Sequence, residues 1–448
     1  MRLNRKQTFV IVFLNVVIAA LVAFILLYPR FGKADGEQPS GPDIDGNDVT
    51  DPTDTPPDEV YVKLRDATSG AVEEVIRETH IQGSGDETAL LTQYVNGTLY
   101  IFGNATVSDY DFDSYGGFLC TVSDIGKITS FTYYDGRMTA AKLVNGGFAV
   151  ATVVNADSDK TNYKLYVTDF SGETIEVASP SAAVEDIITV DGTIAAVITR
   201  PTLTSFMLTE YSFGADGKWN SERSTHISSG YTLDYFDCFC LGDKYILAAR
   251  AYSLPRYDSI VFYTFAAGGD ASAHFYGGSS ENLMQPYAVM PYANGFIALA
   301  RRDGVAAIVT VDYAFLNYRR ELLGFIFTDA RLFFRNDKYY AVFDCPDGSV
   351  TYEIDNNVSR KIISAADGVA VSAVINSNGA MLAGKADSAL KLTDTAAARA
   401  LVLDMADVKV FGGYRLGDET VLVLSATGGA ALSAPIGGRD IYVIAVNI

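Results

Sequence analysis

Residues 94–102 read YVNGTLYIF. Apolar side chains flank Asn96-Gly97 on both sides, and Asn and Gly tolerate the positive φ of a two-residue hairpin turn. The stretch therefore predicts two antiparallel strands joined by a tight turn. The pattern recurs at Asn145-Gly146 in LVNGGFAVA, Asp191-Gly192 in TVDGTIAAV, Gly242-Asp243 in CLGDKYILA and Asn294-Gly295 in YANGFIALA. It recurs again at Asn336-Asp337 in FRNDKYYAV, Asn378-Gly379 in NSNGAMLAG and Gly417-Asp418 in RLGDETVLV. Successive turns lie 49, 46, 51, 52, 42, 42 and 39 residues apart.

Inside each period a second turn is legible. Ser123 to Lys127, Asp169 to Glu173, Ala215 to Lys218 and Asp355 to Asn357 are the clearest copies. Each unit then reads as strand, tight turn, strand, variable loop, strand, turn, strand. No long segment from Val60 onward places apolar residues at helical spacing. Units of this length and content are those of four-stranded propeller blades. The predicted fold is an all-β propeller of eight four-stranded blades over residues 60–448, with seven blades and an irregular cap as the alternative. Val60 to Leu64 and the turn at Asp66 to Gly70 look like the second half of a blade with no first half before them. The C-terminal strand, Ile441 to Ile448, stops in mid-unit. The N-terminal strands are thus expected to complete the last blade, leaving no open sheet edge. Tyr61 to Leu64 and Tyr442 to Val446 compete for the third-strand place.

The stretch GGFAVATVVNADSDKTNYKLYVTDFSGETIEV, from Gly146, resembles repeats of uncharacterised bacterial extracytoplasmic propellers. In those, an apolar strand and a loop precede a strand ending in Asp-x-x-Gly. The resemblance implies a fold and an extracytoplasmic habit, and carries no activity with it.

The N-terminal part is built differently. Phe9 to Leu27 is apolar except for Asn15, long enough for a helix to cross the hydrocarbon core, and no small-residue cleavage site follows it. It reads as an uncleaved transmembrane signal anchor, residues 9–28. Arg2, Arg5 and Lys6 precede it, so residues 1–8 are expected in the cytoplasm and the C-terminal part outside the cell membrane. Residues 29–59 read as a linker. Its part ADGEQPSGPDIDGNDVTDPTDTPPDE carries nine acidic residues and no basic one, a composition that predicts disorder.

The net charge of −20 repels phosphate backbones, so nucleic acid is discounted as a partner. A lone tryptophan, Trp219, excludes families of propellers with tryptophan repeats. His80, His226 and His274 stand in different units without metal-ligand spacing. Cys120, Cys238, Cys240 and Cys345 read as free, mostly buried thiols. No nucleophile elbow, P-loop or dinucleotide fingerprint occurs.

Two features stand above this background. Asp109, Asp111 and Asp113 alternate in the variable loop of the first unit and could wrap calcium, the one cofactor considered. Ser114 and Cys120 stand where an EF-hand loop needs Gly and Glu, and the plainer reading is a solvated acidic loop. The second feature is positional. Arg200, Arg250 and Arg301 each end the second strand of units three, four and five, with Arg256 and Arg302 nearby. On a propeller they share one rim, and guanidinium forks suit carboxylates or phosphates. Tyr252 and Tyr257 fall in a loop on the same side. The competing reading pairs each arginine with a local acid such as Asp258 or Asp303.

Together these features predict a membrane-tethered binding or scaffold module at the cell envelope. Its partner would be an envelope protein, a peptide or an anionic glycan, and the membrane would be met through residues 9–27. The alternatives are a glycan-active envelope enzyme, which needs two facing carboxylates, and a sensor or assembly subunit working through its helix.

Overall fold

The structure is a computed structural model. It describes residues 63–66, 72–74, 78–81 and 85–447, except 107–114, 125–126, 155–160, 214–218, 279–282, 336, 356–359, 368–369, 377–379, 387–388, 396–398, 417–418 and 429–437. The expected anchor, the linker and the Asp109–Asp111–Asp113 loop lie outside these residues, as do the turns at Asn378-Gly379 and Gly417-Asp418. Among the described residues, no helix is long and apolar enough to cross a membrane.

The described strands form eight antiparallel sheets, one for each repeat. In chain order their inner strands are Glu87–Val95, Arg137–Val144, Val184–Val190, Thr232–Leu241, Met284–Tyr292, Asp329–Arg335, Ala370–Asn376 and Lys409–Leu416. Each inner strand opens a sheet whose following strands step outward, and each packs beside the inner strand of the next sheet. The series closes on itself. In the inner strand of blade 8, Tyr414 donates its hydroxyl to Thr92 of blade 1 at 2.7 Å. This is an eight-bladed β-propeller with four-stranded blades.

Burial follows position within a blade. Gly147–Val154, a second strand, is buried along almost its whole length, because both faces of its sheet meet neighbouring blades. Its sequence GFAVATVV is accordingly apolar without alternation. Trp219–Ser228, an outer strand, is largely exposed and reads WNSERSTHIS. The apolar core is divided into eight clusters, each lying between one pair of neighbouring blades. Phe102 and Phe148, for example, meet between blades 1 and 2, and Phe262 and Phe296 between blades 4 and 5. At roughly 2–3 kcal/mol for each buried large side chain, these wedges are the main attraction between blades.

Closure differs in detail from the sequence expectation. The C-terminal strand Asp440–Asn447 takes the third place in blade 8, and Glu78–Ile81 adds to it as the outer strand. Lys63–Asp66 does not compete for this site. It pairs with Val72–Glu74 and joins the outer strand of blade 7, Arg399–Asp404, making a six-stranded sheet. An outer blade edge offers its free backbone groups to any strand. Nothing in the pattern of residues 60–64 specifies which edge. Asp66, read as the start of a turn, is the last residue of its strand.

The tight turns match the predicted chemistry with one shift. Asn96 and Gly97 both have positive φ, as do Asp191 and Gly192. In blade 5, Tyr292 pairs with Gly295, so the turn is Ala293-Asn294 rather than Asn294-Gly295. Ala293 takes the positive φ. Gly295 is needed in the strand because the Val311 carbonyl occupies the place a Cβ would take. Seven of the eight inner strands also carry a β-bulge, all except that of blade 6. A bulge re-aims the side chain that follows it.

Candidate functional site

Alternating strand direction gives the propeller two ends. The tight turns between first and second strands lie at one, called here the turn end. The loops between second and third strands, and the links from blade to blade, lie at the other, the loop end. Arg200, Arg250 and Arg301 close the second strands of blades 3, 4 and 5 and stand at the loop end. Arg250 and Arg301 are each the seventh residue of their strands, Lys244–Ser253 and Gly295–Arg302.

The three arginines are held differently. Arg250 donates from Nε and Nη2 to the two oxygens of Asp258, both at 2.8 Å. Its Nη1 lies 3.7 Å from Asp234, and its guanidinium stands 4.5 Å from the Tyr252 ring centroid. Arg200 donates to the Leu233 carbonyl at 2.5 Å and lies 3.7 Å from Glu185 and 4.0 Å from Asp234. Asp234 thus sits between two arginines from adjacent blades. Arg301 has no carboxylate within ion-pair distance among the described residues. Its guanidinium lies over Tyr287 and Phe327, 5.1 and 5.5 Å from their ring centroids. Its Nε is buried without a hydrogen-bond acceptor.

The other predicted site residues fall at the same end. Arg302 lies 3.4 Å from Asp303. Arg256 is exposed in the loop of blade 4. Tyr257 stacks on Tyr231 at 3.9 Å between centroids, and both are half-buried. Blade 6 reverses the charge. The seventh residue of its second strand is Asp344, paired with Arg331 of the inner strand. Burial raises the Asp344 carboxyl above its ordinary range, and Arg331 opposes that shift. Among these groups stand apolar side chains that the sequence reading did not single out. Leu203, Leu254 and Ile326 are 67%, 62% and 64% exposed. They belong to loop-end connections of blades 3 and 4 and to the link between blades 5 and 6.

At the turn end the inner strands of blades 2 to 5 and the neighbouring turns of blade 5 border a cavity of about 410 Å³ that opens to solvent. Asp237 and Lys142 face it, with Phe239, Phe296 and Tyr313 on one side. Lys142 lies 3.8 Å from Asp186. Asp186 accepts a hydrogen bond from the Tyr235 hydroxyl at 2.6 Å and another from the Ile187 amide at 2.7 Å. Asp237 accepts from the Cys238 amide at 2.8 Å through one oxygen. Burial, and after it the charge of Asp186, pushes the Asp237 carboxyl up to about 6. Two carboxylates and one ammonium leave this cluster with an excess negative charge at neutral pH. Asp186 and Asp237 each directly follow the inner-strand bulge of their blades. Both stand five residues ahead of the tight turn, where blades 2, 5, 7 and 8 have Ala140, Ala288, Ala373 and Gly412. That recurrence was the available sequence signal.

All four cysteines are free. Cys120 and Cys238 are buried, and Cys240 and Cys345 half-buried. Burial raises the thiols of Cys238 and Cys240, so both are poor nucleophiles. His80 is bonded to Asp440 at 2.6 Å across the closure, and His274 stacks on Phe315. No group of three His, Cys, Asp or Glu side chains suited to a metal occurs among the described residues. The cavity is faced by one carboxylate, Asp237, where two-carboxylate glycoside hydrolysis needs a facing pair.

No protein-family model matches the chain, and no curated protein matches it in sequence. Solved propeller and enzyme structures resemble the chain at low identity. The β-propeller domain of the Trilobed protease from Pyrococcus furiosus is 7% identical, with a TM-score of 0.44, over 70% of this chain and 95% of that one. A putative 6-phosphogluconolactonase from Bacteroides fragilis is 12% identical, with a TM-score of 0.43, over 69% and 94%. Prolyl oligopeptidase B from Galerina marginata is 11% identical, with a TM-score of 0.44, over 77% and 47%.

Proposed function

We propose that the chain is a membrane-tethered extracytoplasmic propeller that serves as a binding or scaffold module at the cell envelope. Its partner is an envelope protein or peptide, docked on the loop end of blades 3 to 5. The tether and its orientation rest on the apolar run Phe9 to Leu27, the basic residues ahead of it and the acidic stretch behind it. The docking surface rests on one observation above all. Arg301 carries a charge that no acid among the described residues compensates, while Arg200 and Arg250 are neutralised in place. Exposed Leu203, Leu254 and Ile326 stand around it as apolar anchors. Arginine and tyrosine are enriched at the centres of protein-binding surfaces. A carboxylate on the partner would complete Arg301.

Site-specific photocrosslinking in intact cells tests this. A crosslinker at position 203, 254 or 326 of the full chain should trap one defined partner, and Arg301→Ala should abolish the adduct. Positions 175 and 316, exposed on other surfaces, should trap nothing specific. Equal labelling from all five positions would remove the docking surface. Arg301-dependent binding of a purified anionic wall polymer, without a protein adduct, would reassign the partner to a glycan. Resistance of the propeller to a membrane-impermeant label in those cells would refute the orientation.

A further inference from the structure

The cavity at the turn end is independent of the loop-end surface and has a chemistry of its own. Its floor holds Asp237, of which one oxygen is engaged by the Cys238 amide. Lys142, which also lines the cavity, lies 3.8 Å from Asp186 and partly offsets the rise of the Asp237 carboxyl. The wall is aromatic. Phe239 and Phe296 lie 5.1 Å apart between centroids, and Phe296 and Tyr313 lie 5.2 Å apart and nearly perpendicular. Val190 and Leu241, both partly exposed, border the opening.

A partly desolvated carboxylate beside aromatic faces selects for one kind of guest. Ring faces attract positive charge, modestly where solvent has access. The Asp237 carboxylate supplies the counter-charge for such a guest. A small inorganic cation would need several oxygen ligands, and the described residues offer no such set. The volume suits a small organic molecule. We infer that this cavity binds a small organic cation of the alkylammonium class, its charge held between Asp237 and the partly exposed rings of Phe239 and Tyr313, which pack on buried Phe296.

The test uses the full-length chain, titrated calorimetrically with tetramethylammonium and with a neutral alcohol that carries the same branched apolar head, 3,3-dimethylbutan-1-ol. At about pH 8, tetramethylammonium should bind saturably and roughly tenfold more tightly than the alcohol. In Asp237→Asn that preference should vanish, and in Phe239→Leu affinity should fall several-fold. In the wild type the preference should also shrink below about pH 6, where Asp237 gains its proton. Asparagine keeps the shape of the aspartate, and the comparison of cation with neutral alcohol is made within the wild type, so loss of fold cannot imitate the result. Equal affinity for the two probes, tetramethylammonium binding unchanged in Asp237→Asn, or no saturable binding would each overturn the assignment.

Discussion

Replacing Arg250 by Met separates structural arginine from binding arginine on the rim. Arg250 and Asp258 are joined by two hydrogen bonds of 2.8 Å, with side chains 15% and 5% exposed. Taking away the guanidinium strands a carboxylate in the space between strands, with two charge-assisted bonds lost. Breaking a buried pair from one side costs about 3–5 kcal/mol. The stacking of Arg250 on Tyr252 adds about 0.5–1 kcal/mol, and the methionine stem recovers part of the packing. Arg250→Met should therefore destabilise the propeller by about 4 kcal/mol. Adding Asp258→Leu should restore at least half of that, since the unpaired charge is gone. Urea unfolding followed by the fluorescence of Trp219 and by circular dichroism measures both, provided the two probes coincide. A single variant within about 1 kcal/mol of the wild type, or a double variant no better than the single, would show that the pair is not structural.

Arg301→Met removes no ion pair and should cost only about 1–2 kcal/mol in the same assay, while abolishing partner crosslinking. Asp237→Asn should stabilise the protein by about 2–3 kcal/mol above pH 6 and by little near pH 4. The sign follows from the raised carboxyl. The folded state holds the proton up to about 6, above the ordinary carboxylate value, so stability falls as pH rises through that window and levels off beyond it. Asparagine removes the dependence, which pH-resolved urea unfolding will show. Gly295→Ala should destabilise by about 3 kcal/mol or more, because its Cβ would overlap the Val311 carbonyl. Gly97→Ala meets nothing within 4 Å and should cost only about 1 kcal/mol, for its positive φ. His80→Ala should lower the unfolding midpoint by weakening closure, since Asp440 is fully buried and loses a donor.

The blade count was legible because each tight turn demands residues with positive φ, and those residues recur at one period. The exact turn in blade 5 was not, since Gly295 serves a close backbone approach and only resembles a turn residue in sequence. The closing strand escaped notice because Glu78–Ile81 reads ETHI, half polar and only four residues long. Its partners lie at the other end of the chain, and local pattern carries no information about them. For the rim, the sequence located Arg200, Arg250 and Arg301 by their places in the repeat. It also named Asp258 and Asp303 as local acids, and these pair with Arg250 and Arg302. It could not tell that, among the described residues, aromatic rings and no acid hold Arg301, because those contacts depend on side-chain reach between strands and blades. The Asp186–Asp237–Lys142 cluster needed the bulges to be known first. A bulge shifts the register by one residue and reverses which way a side chain points.

The hairpin on blade 7 has a mechanical meaning. Along the chain from its N-terminal side come first Lys63–Asp66 and Val72–Glu74, and only then the closing strand Glu78–Ile81. If the chain is anchored at that side, tension on the stalk meets the edge hairpin before it meets the ring. The hairpin adds to a blade that already has its four strands, so peeling it away lengthens the stalk and leaves all eight blades whole. Under such a pull the hairpin would give way before the strand that completes the circle.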